Sequence, residues 1–334
     1  MGLVEKIAPR GSRRRSWAAR LKHRLCPGRP PTSVGAERRT LRASWAGGDP
    51  AALDTYLVSG FQNPQINAQS ILTRHHLIGE LFGDEHAQLM REELEHCVRA
   101  TKALRRRARE LGVRMGTSSD AARRARVLEV TAVIADWQDH YEKRWAEALR
   151  HRSAGPLRVL EFACGSANDY RYFDSYGLAR FLDYTGVDLS EANVANARRR
   201  FPDVDFEVQD VLALPYENGS YDYVLAFDLF EHLSPAAIEQ AVREARRLAR
   251  VGLVVSFFHM ADQPEHVVQP VRRYFWNLLS APRMRDLLAV GFDSVEVIKI
   301  RDLFRTGFGY GYSYNRNAWT MIALSDRRHT TARV

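Results

Sequence analysis

The sequence predicts an α/β protein with a doubly wound sheet of five parallel strands, a C-terminal antiparallel hairpin and a helical N-terminal subdomain. From residue 157 onward, short apolar runs alternate with stretches long enough for helices, whereas residues 49–150 contain helical patterns only. A short Gly- and Tyr-rich loop separates the last two runs, which favours the hairpin. The seven runs are 157–162, 184–187, 204–208, 223–227, 251–257, 295–300 and 319–324.

Residues 1–48 are predicted to be a basic, disordered tail. Within it, residues 1–45 hold twelve Lys and Arg against Glu5 and Glu37. Subtracting this balance from the net charge of +9 leaves −1 for the rest of the chain, so the body is not basic. Such a tail suits peripheral contact with an anionic membrane or with phosphate-rich partners, and the alternative is a solvated extension without a partner.

Residues 49–150 are predicted to form three helices, which we interpret as a lid or substrate-binding subdomain. The first helix ends at Gly83, the second runs from about 85 to Gly112, and the third from about 120 to 150. Arginines in the last turns of the second helix suit its C-terminus, so they need no nucleic-acid partner. The amide-rich stretch 63–70 is expected to donate hydrogen bonds to a hydroxylated ligand.

The composition is that of a soluble globular protein, with 45% hydrophobic and 27% charged residues. No apolar run is long enough for a transmembrane helix, and the N-terminus lacks the apolar segment of a secretory signal. Three widely spaced cysteines form neither a disulfide framework nor a CxxC metal site. We therefore expect a cytoplasmic location.

The turn at residues 159–168, Val-Leu-Glu-Phe-Ala-Cys-Gly-Ser-Ala-Asn, gives the sharpest functional signal. An apolar strand ends at a carboxylate, and small residues then let a ligand approach the backbone. These small residues are Ala163, Gly165 and Ala167. Alanine is a tolerable small substitute at these positions if φ stays negative there. Asn168 or Asp169 is expected to cap the helix that follows.

Acidic residues end four successive strands at one edge of the predicted sheet. They are Glu161, Asp188, Asp210 and Asp228. Ligands of open α/β sheets bind beyond the carboxyl ends of the strands, and a carboxylate after the second strand accepts hydrogen bonds from ribose hydroxyls. Folding alone does not require four carboxylates there. The pattern therefore predicts a nucleotide site at this edge.

These residues resemble the class I S-adenosylmethionine-dependent methyltransferases, a Rossmann-like family, over roughly residues 137–325. The family pattern, an acidic residue followed by x-Gly-x-Gly-x-Gly, is matched at Glu161 and Gly165 and departs at Ala163 and Ala167. The resemblance implies an S-adenosyl-L-methionine-binding domain over 151–326, followed by a short tail over 327–334. We further expect a small-molecule, glycan or lipid-linked acceptor that is methylated at oxygen, with methylation at nitrogen as the alternative.

By this resemblance, nine residues are expected to bind the cofactor: Glu161, Ala163, Gly165, Asp188, Leu189, Asp210, Val211, Phe227 and Asp228. A hydroxyl acceptor also needs a base to remove its proton, and His232 and His259 follow strands at the ligand edge. The alternative for His232 is packing at the start of a helix. Asp228-x-x-Glu231-His232 resembles the metal-binding E-x-x-E-H stretch of quinone-biosynthesis O-methyltransferases, although a divalent metal is the less favoured interpretation and none is predicted.

Two aromatic groups are further candidates for the ligand pocket. The loop 308–315 alternates aromatic with small or polar residues, and in extended conformation its four aromatics project to one side. Those aromatics are Phe308, Tyr310, Tyr312 and Tyr314. They either stack on a ring or sugar of the acceptor or cover the hairpin. Trp137 and Tyr141, one helical turn apart, either cover the cofactor or pack together.

Two other functions stay open at this point. An RNA-directed methyltransferase is suggested by the basic tail, but the fourth strand ends in 228–231 without the (Asp/Asn)-Pro-Pro-aromatic stretch of base-amine methylases. A non-catalytic S-adenosylmethionine-binding protein is suggested by the two alanines that replace glycine. Binding of the cofactor without turnover would favour that interpretation.

Overall fold

The computed structural model describes residues 68–110, 112, 136–271, 274–310 and 315–325. Contacts between residues divide the chain into two compact units. Among the described residues, a helical unit holds everything up to Ala154 together with Ser166–Arg180, and a sheet unit holds Gly155–Gly165 and everything from Phe181 on. Both predicted tails and the stretch 63–67 lie outside the described residues, and the predicted domain boundaries stay predictions.

The described part of the helical unit consists of α-helices and two 3-10 turns, the second of which begins at Ala179. The elements are α1 (Ala68–Phe82), the 3-10 turn Gly83–His86, α2 (Ala87–Glu110), α3 (136–149) and α4 (Asn168–Ser175). Gly83 and Gly112 adopt φ values of 61° and 62°, so glycine ends the first two helices as predicted. The third predicted helix overlaps α3, and its residues before 136 are outside the described part.

A buried ionic group joins α1, α2 and α3 inside the helical unit. The Glu93 carboxylate is fully buried and accepts hydrogen bonds from Arg74 (2.8 Å), His75 (2.7 Å) and the Trp145 indole (2.7 Å). The Arg74 guanidinium lies 3.6 Å from the centre of the Tyr176 ring. Burial alone would raise the pKa of Glu93, but the charge of Arg74 and the hydrogen bonds hold that pKa at about 2.

The sheet unit contains a seven-stranded sheet with the order β10-β11-β5-β4-β1-β2-β3. Its strands are β1 (Leu157–Phe162), β2 (Leu182–Asp188), β3 (Asp205–Val208), β4 (Tyr221–Phe227), β5 (Ala249–Phe257), β10 (Ser294–Lys299) and β11 (Trp319–Leu324). β1 to β5 pair in parallel, whereas β11 is antiparallel to both β5 and β10. The predicted fold class is confirmed, including the antiparallel pair at the C-terminal end.

Helices and short strands connect the strands of this sheet. The helices are α5 (Glu191–Arg200), α6 (Pro235–Leu248), α7 (Ala281–Ala289) and α8 (Ile300–Phe308), and the short strands are β6 (Met260–Ala261), β7 (Pro270–Val271), β8 (Tyr274–Phe275) and β9 (Leu279–Ser280). Serine begins α5, α6 and α7, where each hydroxyl accepts the backbone amide three residues on. The described residues contain no helix long and apolar enough to cross a membrane.

The predicted loop between the last two strands is wrong, because β10 continues directly into α8. Ile300 and Phe304 are buried one turn apart, and Gly309 ends the helix at a φ of 62°. Phe308 therefore lies on a helix and Tyr310 is buried, so these two side chains do not form an extended row. Tyr312 and Tyr314 lie outside the described residues.

Close packing fixes the position of the turn after β1 against β2. A Cβ atom added to Gly186 would lie 2.8 Å from the Phe206 ring and 2.9 Å from the sulfur of Cys164. The backbone amide of Cys164 also donates to the carbonyl of Val187 (2.9 Å). Only glycine at position 186 lets the turn come this near to the strand.

Candidate functional site

The turn after β1 has left-handed backbone at every second residue. The φ values are 53° at Ala163, 54° at Gly165 and 62° at Ala167. The condition under which alanine would fit without strain, a negative φ, is therefore not met at Ala163 and Ala167. Left-handed backbone brings Cβ close to the following carbonyl oxygen and costs about 1–2 kcal/mol in an L-residue. The chain keeps the shape of a glycine-rich turn in spite of that strain.

Asp188, at the end of β2, is held by hydrogen bonds from three donors. Its Oδ2 accepts the amide of Gly165 (2.9 Å), while Oδ1 accepts the amide of Ser190 (2.8 Å) and the side-chain amide of Asn193 (3.2 Å). The residue is only 9% exposed. The carboxylate therefore ties the turn after β1 to the start of α5 and is fixed in orientation.

The other acidic residues at this edge differ in exposure. Glu161 is buried, and its Oε2 accepts the Tyr184 hydroxyl at 2.6 Å. Asp210 is exposed and accepts the amide of Leu212 (2.9 Å), and Val211 beside it is buried. Asp188 ends β2, and Asp210 and Asp228 come directly after β3 and β4, as the sequence predicts, whereas Glu161 lies within β1 and is buried.

Two apolar side chains stand exposed beside these carboxylates. Leu189 is 73% exposed directly after Asp188, and Val208 at the end of β3 is 39% exposed. Exposed aliphatic side chains next to a nucleotide-type edge suit the face of a planar base. Sequence reasoning included Leu189 in the site and missed Val208, which the alternating pattern of the short β3 did not distinguish.

Strain also marks the end of β4. Asp228 adopts a φ of 52°, and its backbone amide donates to the carbonyl of Ser256 in β5 (3.0 Å). Phe227 before it is half-buried, whereas Asp228 is exposed. A non-glycine residue in this conformation is uncommon and is found most often at functional sites.

Glu231 is the carboxylate that sequence reasoning undervalued. It is completely buried, and its Oε1 accepts the backbone amides of Phe258 (2.7 Å) and His259 (3.2 Å). Its Oε2 is buried and has no hydrogen-bond partner. Burial outweighs these backbone hydrogen bonds and raises the pKa of Glu231 to about 7. Glu231 thus connects the segment after β4 to the end of β5.

Both predicted catalytic histidines hydrogen-bond to the same segment of backbone. His232 Nδ1 lies 3.1 Å from the carbonyl oxygen of Phe275, and His259 Nδ1 lies 2.8 Å from that of Asn277. A carbonyl only accepts, so the proton of each neutral ring is assigned to Nδ1. This tautomer leaves the Nε2 lone pair of each ring as a hydrogen-bond acceptor and base.

Asn277 organises this segment and was not found by sequence reasoning. It is fully buried; its backbone amide donates to the carbonyl of Glu231 (2.9 Å), and its side-chain amide donates to that of Leu233 (2.7 Å). The side-chain oxygen accepts the amide of Gln269 (3.1 Å). These three partners are all backbone groups, which every residue has, so the role of Asn277 could not be predicted from a sequence motif.

The remaining predicted residues have structural contacts. Asn168 and Asp169 do not cap α4: the cap position is Ala167, without a side-chain hydrogen bond, and Asp169 instead accepts the Ser70 hydroxyl (2.8 Å). Trp137 and Tyr141 are buried and pack on each other, with ring centres 5.4 Å apart. Within the described residues, no group of three or more His, Cys, Asp or Glu is arranged to hold a metal ion.

Comparisons with known proteins agree with this architecture. Residues 159–252 match a family model described as a methyltransferase domain. A probable S-adenosylmethionine-dependent methyltransferase of Mycolicibacterium smegmatis is 30% identical over 165 residues, covering 46% of this chain and 58% of that protein. The phthiotriol/phenolphthiotriol dimycocerosates methyltransferase of Mycobacterium tuberculosis is 33% identical over 124 residues, covering 34% and 42%. The chain thus spans about half the length of these curated relatives.

A solved structure is also similar. The 1,6-didemethyltoxoflavin-N1-methyltransferase of Burkholderia thailandensis, with bound 1,6-didemethyltoxoflavin and S-adenosylhomocysteine, is 18% identical with a TM-score of 0.38, covering 56% of this chain and 76% of that chain. At this score the structural similarity carries no conclusion about the acceptor.

Proposed function

We propose that the chain is a class I S-adenosylmethionine-dependent methyltransferase that transfers a methyl group from S-adenosyl-L-methionine to a hydroxyl oxygen. This proposal is supported by the match of residues 159–252 to a methyltransferase domain and by the similarity to a probable methyltransferase of this type. The acceptor is a small molecule or a glycan- or lipid-linked compound. One curated relative is named as a phthiotriol/phenolphthiotriol dimycocerosates methyltransferase. The observation that carries this proposal is the oriented Asp188 carboxylate beside the left-handed turn at 163–167.

The residues at this edge fit an adenosyl ligand. A Cβ placed on Gly165 would meet no atom within 4 Å, so the turn faces open space there. Asp188 Oδ2 accepts one hydrogen bond among the contacts described above, which leaves acceptor capacity for a ribose hydroxyl. Leu189 and Val208 supply exposed apolar surface for the adenine ring, and Asp210 follows shortly after Val208 in the chain.

The chemistry required of the protein is alignment and proton removal. When bound, S-adenosylmethionine supplies an electrophilic methyl group on a sulfonium and leaves as S-adenosylhomocysteine. The protein must hold the hydroxyl in line with that methyl group and exclude water. His232 and His259 each present an Nε2 lone pair that takes the proton which the hydroxyl loses. Glu231 fixes the backbone from which His259 projects.

The proposal is tested by calorimetry with S-adenosylmethionine and by release of S-adenosylhomocysteine in an acceptor screen. Asp188→Ala is expected to weaken cofactor binding by about 1–3 kcal/mol, since a charged acceptor is lost. Glu191→Ala, which removes a nearby exposed carboxylate, is the control and should bind normally.

His232→Ala should keep cofactor affinity and lose turnover. Unchanged affinity in Asp188→Ala contradicts the assigned site, and binding without turnover in any screen favours a non-catalytic protein.

A further inference from the structure

Five ring side chains lie together beyond the carboxyl ends of β4 and β5. We call them the aromatic cluster: His232, Phe258, His259, Tyr274 and Trp276. The centre of the Trp276 indole lies 5.1 Å from Phe258, 5.5 Å from His232 and 5.8 Å from His259. Tyr274 lies 5.7 Å from His232. All five belong to the sheet unit, at the same edge as Asp188 and Asp228.

The two largest rings of this cluster are not covered by the protein. Trp276 is 40% exposed and Tyr274 is 47% exposed. Val267 and Val268, which precede them on the paired segment, are 54% and 42% exposed. Burial of an indole ring stabilises a protein, and a largely exposed indole does not make that contribution to the fold. Exposed aromatic side chains commonly line ligand-binding sites.

The segment that carries these rings is held rigidly. Asn277 is anchored to Glu231 and Leu233, and β8 pairs with β7. On the opposite side, the Asn315 side chain donates to the carbonyl of Phe258 (2.9 Å). A rigid wall loses little conformational entropy when a ligand binds to it.

The polar groups in the cluster define the complementary ligand. Both histidines use Nδ1 on backbone carbonyls, so each offers an Nε2 acceptor among ring faces. The aromatic side chains favour a flat ring in the ligand, which contacts them in an offset-stacked or edge-to-face arrangement. The Nε2 atom of either histidine accepts a hydrogen bond from a hydroxyl group of the ligand. A saturated ring of the same size offers the hydroxyl but not the flat face.

We propose that the aromatic cluster is the acceptor subsite and that it takes a planar aromatic ring bearing a hydroxyl group. This inference rests on the proposed function, because it names the substrate class of the same site. The acceptor ring lies against Trp276 and Tyr274, and its hydroxyl donates to a histidine Nε2. Methylation then forms an aryl methyl ether, with the phenolic proton on that nitrogen.

The test compares two probes with one carbon skeleton. 2-Naphthol is planar and aromatic, whereas decahydro-2-naphthol has the same skeleton and hydroxyl but saturated rings. Their affinities are measured by calorimetry on the full chain saturated with S-adenosylhomocysteine. We expect 2-naphthol to bind about tenfold more tightly than decahydro-2-naphthol, because its flat aromatic face makes ring contacts with Trp276 and with Tyr274. 2-Methoxynaphthalene, which cannot donate, should bind about fivefold more weakly than 2-naphthol.

Variants of Trp276 then locate the site. Trp276→Leu should weaken 2-naphthol about fivefold and leave S-adenosylhomocysteine affinity unchanged, whereas Trp276→Phe should retain most of the binding because a ring face remains. Val290→Ala, at a position 75% exposed elsewhere in the unit, is the control and should bind both ligands normally.

Three results would overturn the inference: equal affinities for the two probes, no measurable binding of 2-naphthol, or normal 2-naphthol binding by Trp276→Leu. Failure of the chain to bind S-adenosylhomocysteine would instead overturn the proposed function. The same titrations without S-adenosylhomocysteine then still decide whether the cluster takes a planar ring.

Discussion

Ala163 and Ala167 occupy left-handed backbone positions that glycine adopts without strain. Their methyl groups are held there because the turn is tied at both Cys164 and Gly165 to β2 and Asp188. The sequence motif alone did not decide the sign of φ at the two alanines. The hydrogen bonds of neighbouring residues decide it, and the alanines adopt a backbone conformation that costs an L-residue energy.

Ala163→Gly is therefore expected to stabilise the protein. Relief of about 1–2 kcal/mol of left-handed strain exceeds the 0.5–1 kcal/mol of extra chain entropy that glycine loses, by roughly 0.5–1 kcal/mol. Urea unfolding of the variant measures this difference. Ala241→Gly, in the middle of helix α6, should instead destabilise by about 1 kcal/mol. Destabilisation by Ala163→Gly as large as that of the control would show that the alanine is not strained.

The second prediction for a single residue concerns the effect of Glu231 on the pH dependence of stability. Its pKa is raised from 4.5 to about 7, so the folded state binds this proton more tightly than the unfolded state. Stability from this group is present below pH 4.5 and lost as the pH rises to about 7. Relative to Glu231→Gln, the wild type should lose about 2–3 kcal/mol of unfolding free energy between pH 5 and pH 8. Denaturant titrations at both pH values give the difference, with exposed Glu217→Gln as the control. A constant difference between wild type and Glu231→Gln would contradict the raised pKa.

At the scale of elements, three helices depend on one carboxylate. Glu93 in α2 accepts from Arg74 and His75 of α1 and from Trp145 of α3, all buried. Surface ion pairs in the same unit, such as Arg99 with Glu95, are more than half exposed and contribute little. The packing of these helices therefore rests on the buried group and the apolar residues around it.

Glu93→Gln should destabilise the protein by about 3–5 kcal/mol, because the buried Arg74 charge is left without its partner. Glu95→Gln, on the exposed face of the same helix, should change stability by less than about 0.5 kcal/mol. Thermal unfolding followed by circular dichroism measures both. Equal small effects would mean that Arg74 finds another partner.

The sequence predicted most elements but not the segment that completes the site. β1 and β11 have the predicted bounds, because apolar runs between turn signals define buried strands well. Asp188, His232 and His259 could be proposed as site residues from the sequence because they end or follow strands. The segment 258–280 could not be predicted, since its four two-residue strands have no periodicity and the side chain of Asn277 hydrogen-bonds only to backbone groups. Helix α8 was missed because it has only nine residues, of which two are buried, and so short an apolar pattern is equally compatible with a loop.

For the whole molecule, buried groups in the two units contribute to stability with opposite pH dependence. Burial lowers the pKa of His75, and the pKa of Glu93 is held at about 2, so the contribution of these two groups to the helical unit is lost as the pH falls through about 6.5 and then below 4.5. The contribution of Glu231 to the sheet unit is lost as the pH rises to about 7.

Hydrogen exchange resolves the two units in one sample. At pH 4, amides of α1 and α2 should lose protection before those of β4 and β5, and at pH 8 the order of loss should shift toward β4 and β5. Intrinsic exchange rates at each pH serve as the reference. Uniform loss of protection across both units at both pH values would show that they open together.

The position of β11 has a consequence for synthesis of the chain. This strand occupies residues 319–324, yet it lies inside the sheet, between β5 and β10. A nascent chain that has left the ribosome only as far as β10 therefore carries two unpaired edges, of which β5 is a long apolar strand. Such edges recruit other chains. Termination shortly before Trp319 should consequently yield aggregates, and a chaperone would have to shield β5 until residues 319–324 have been synthesised.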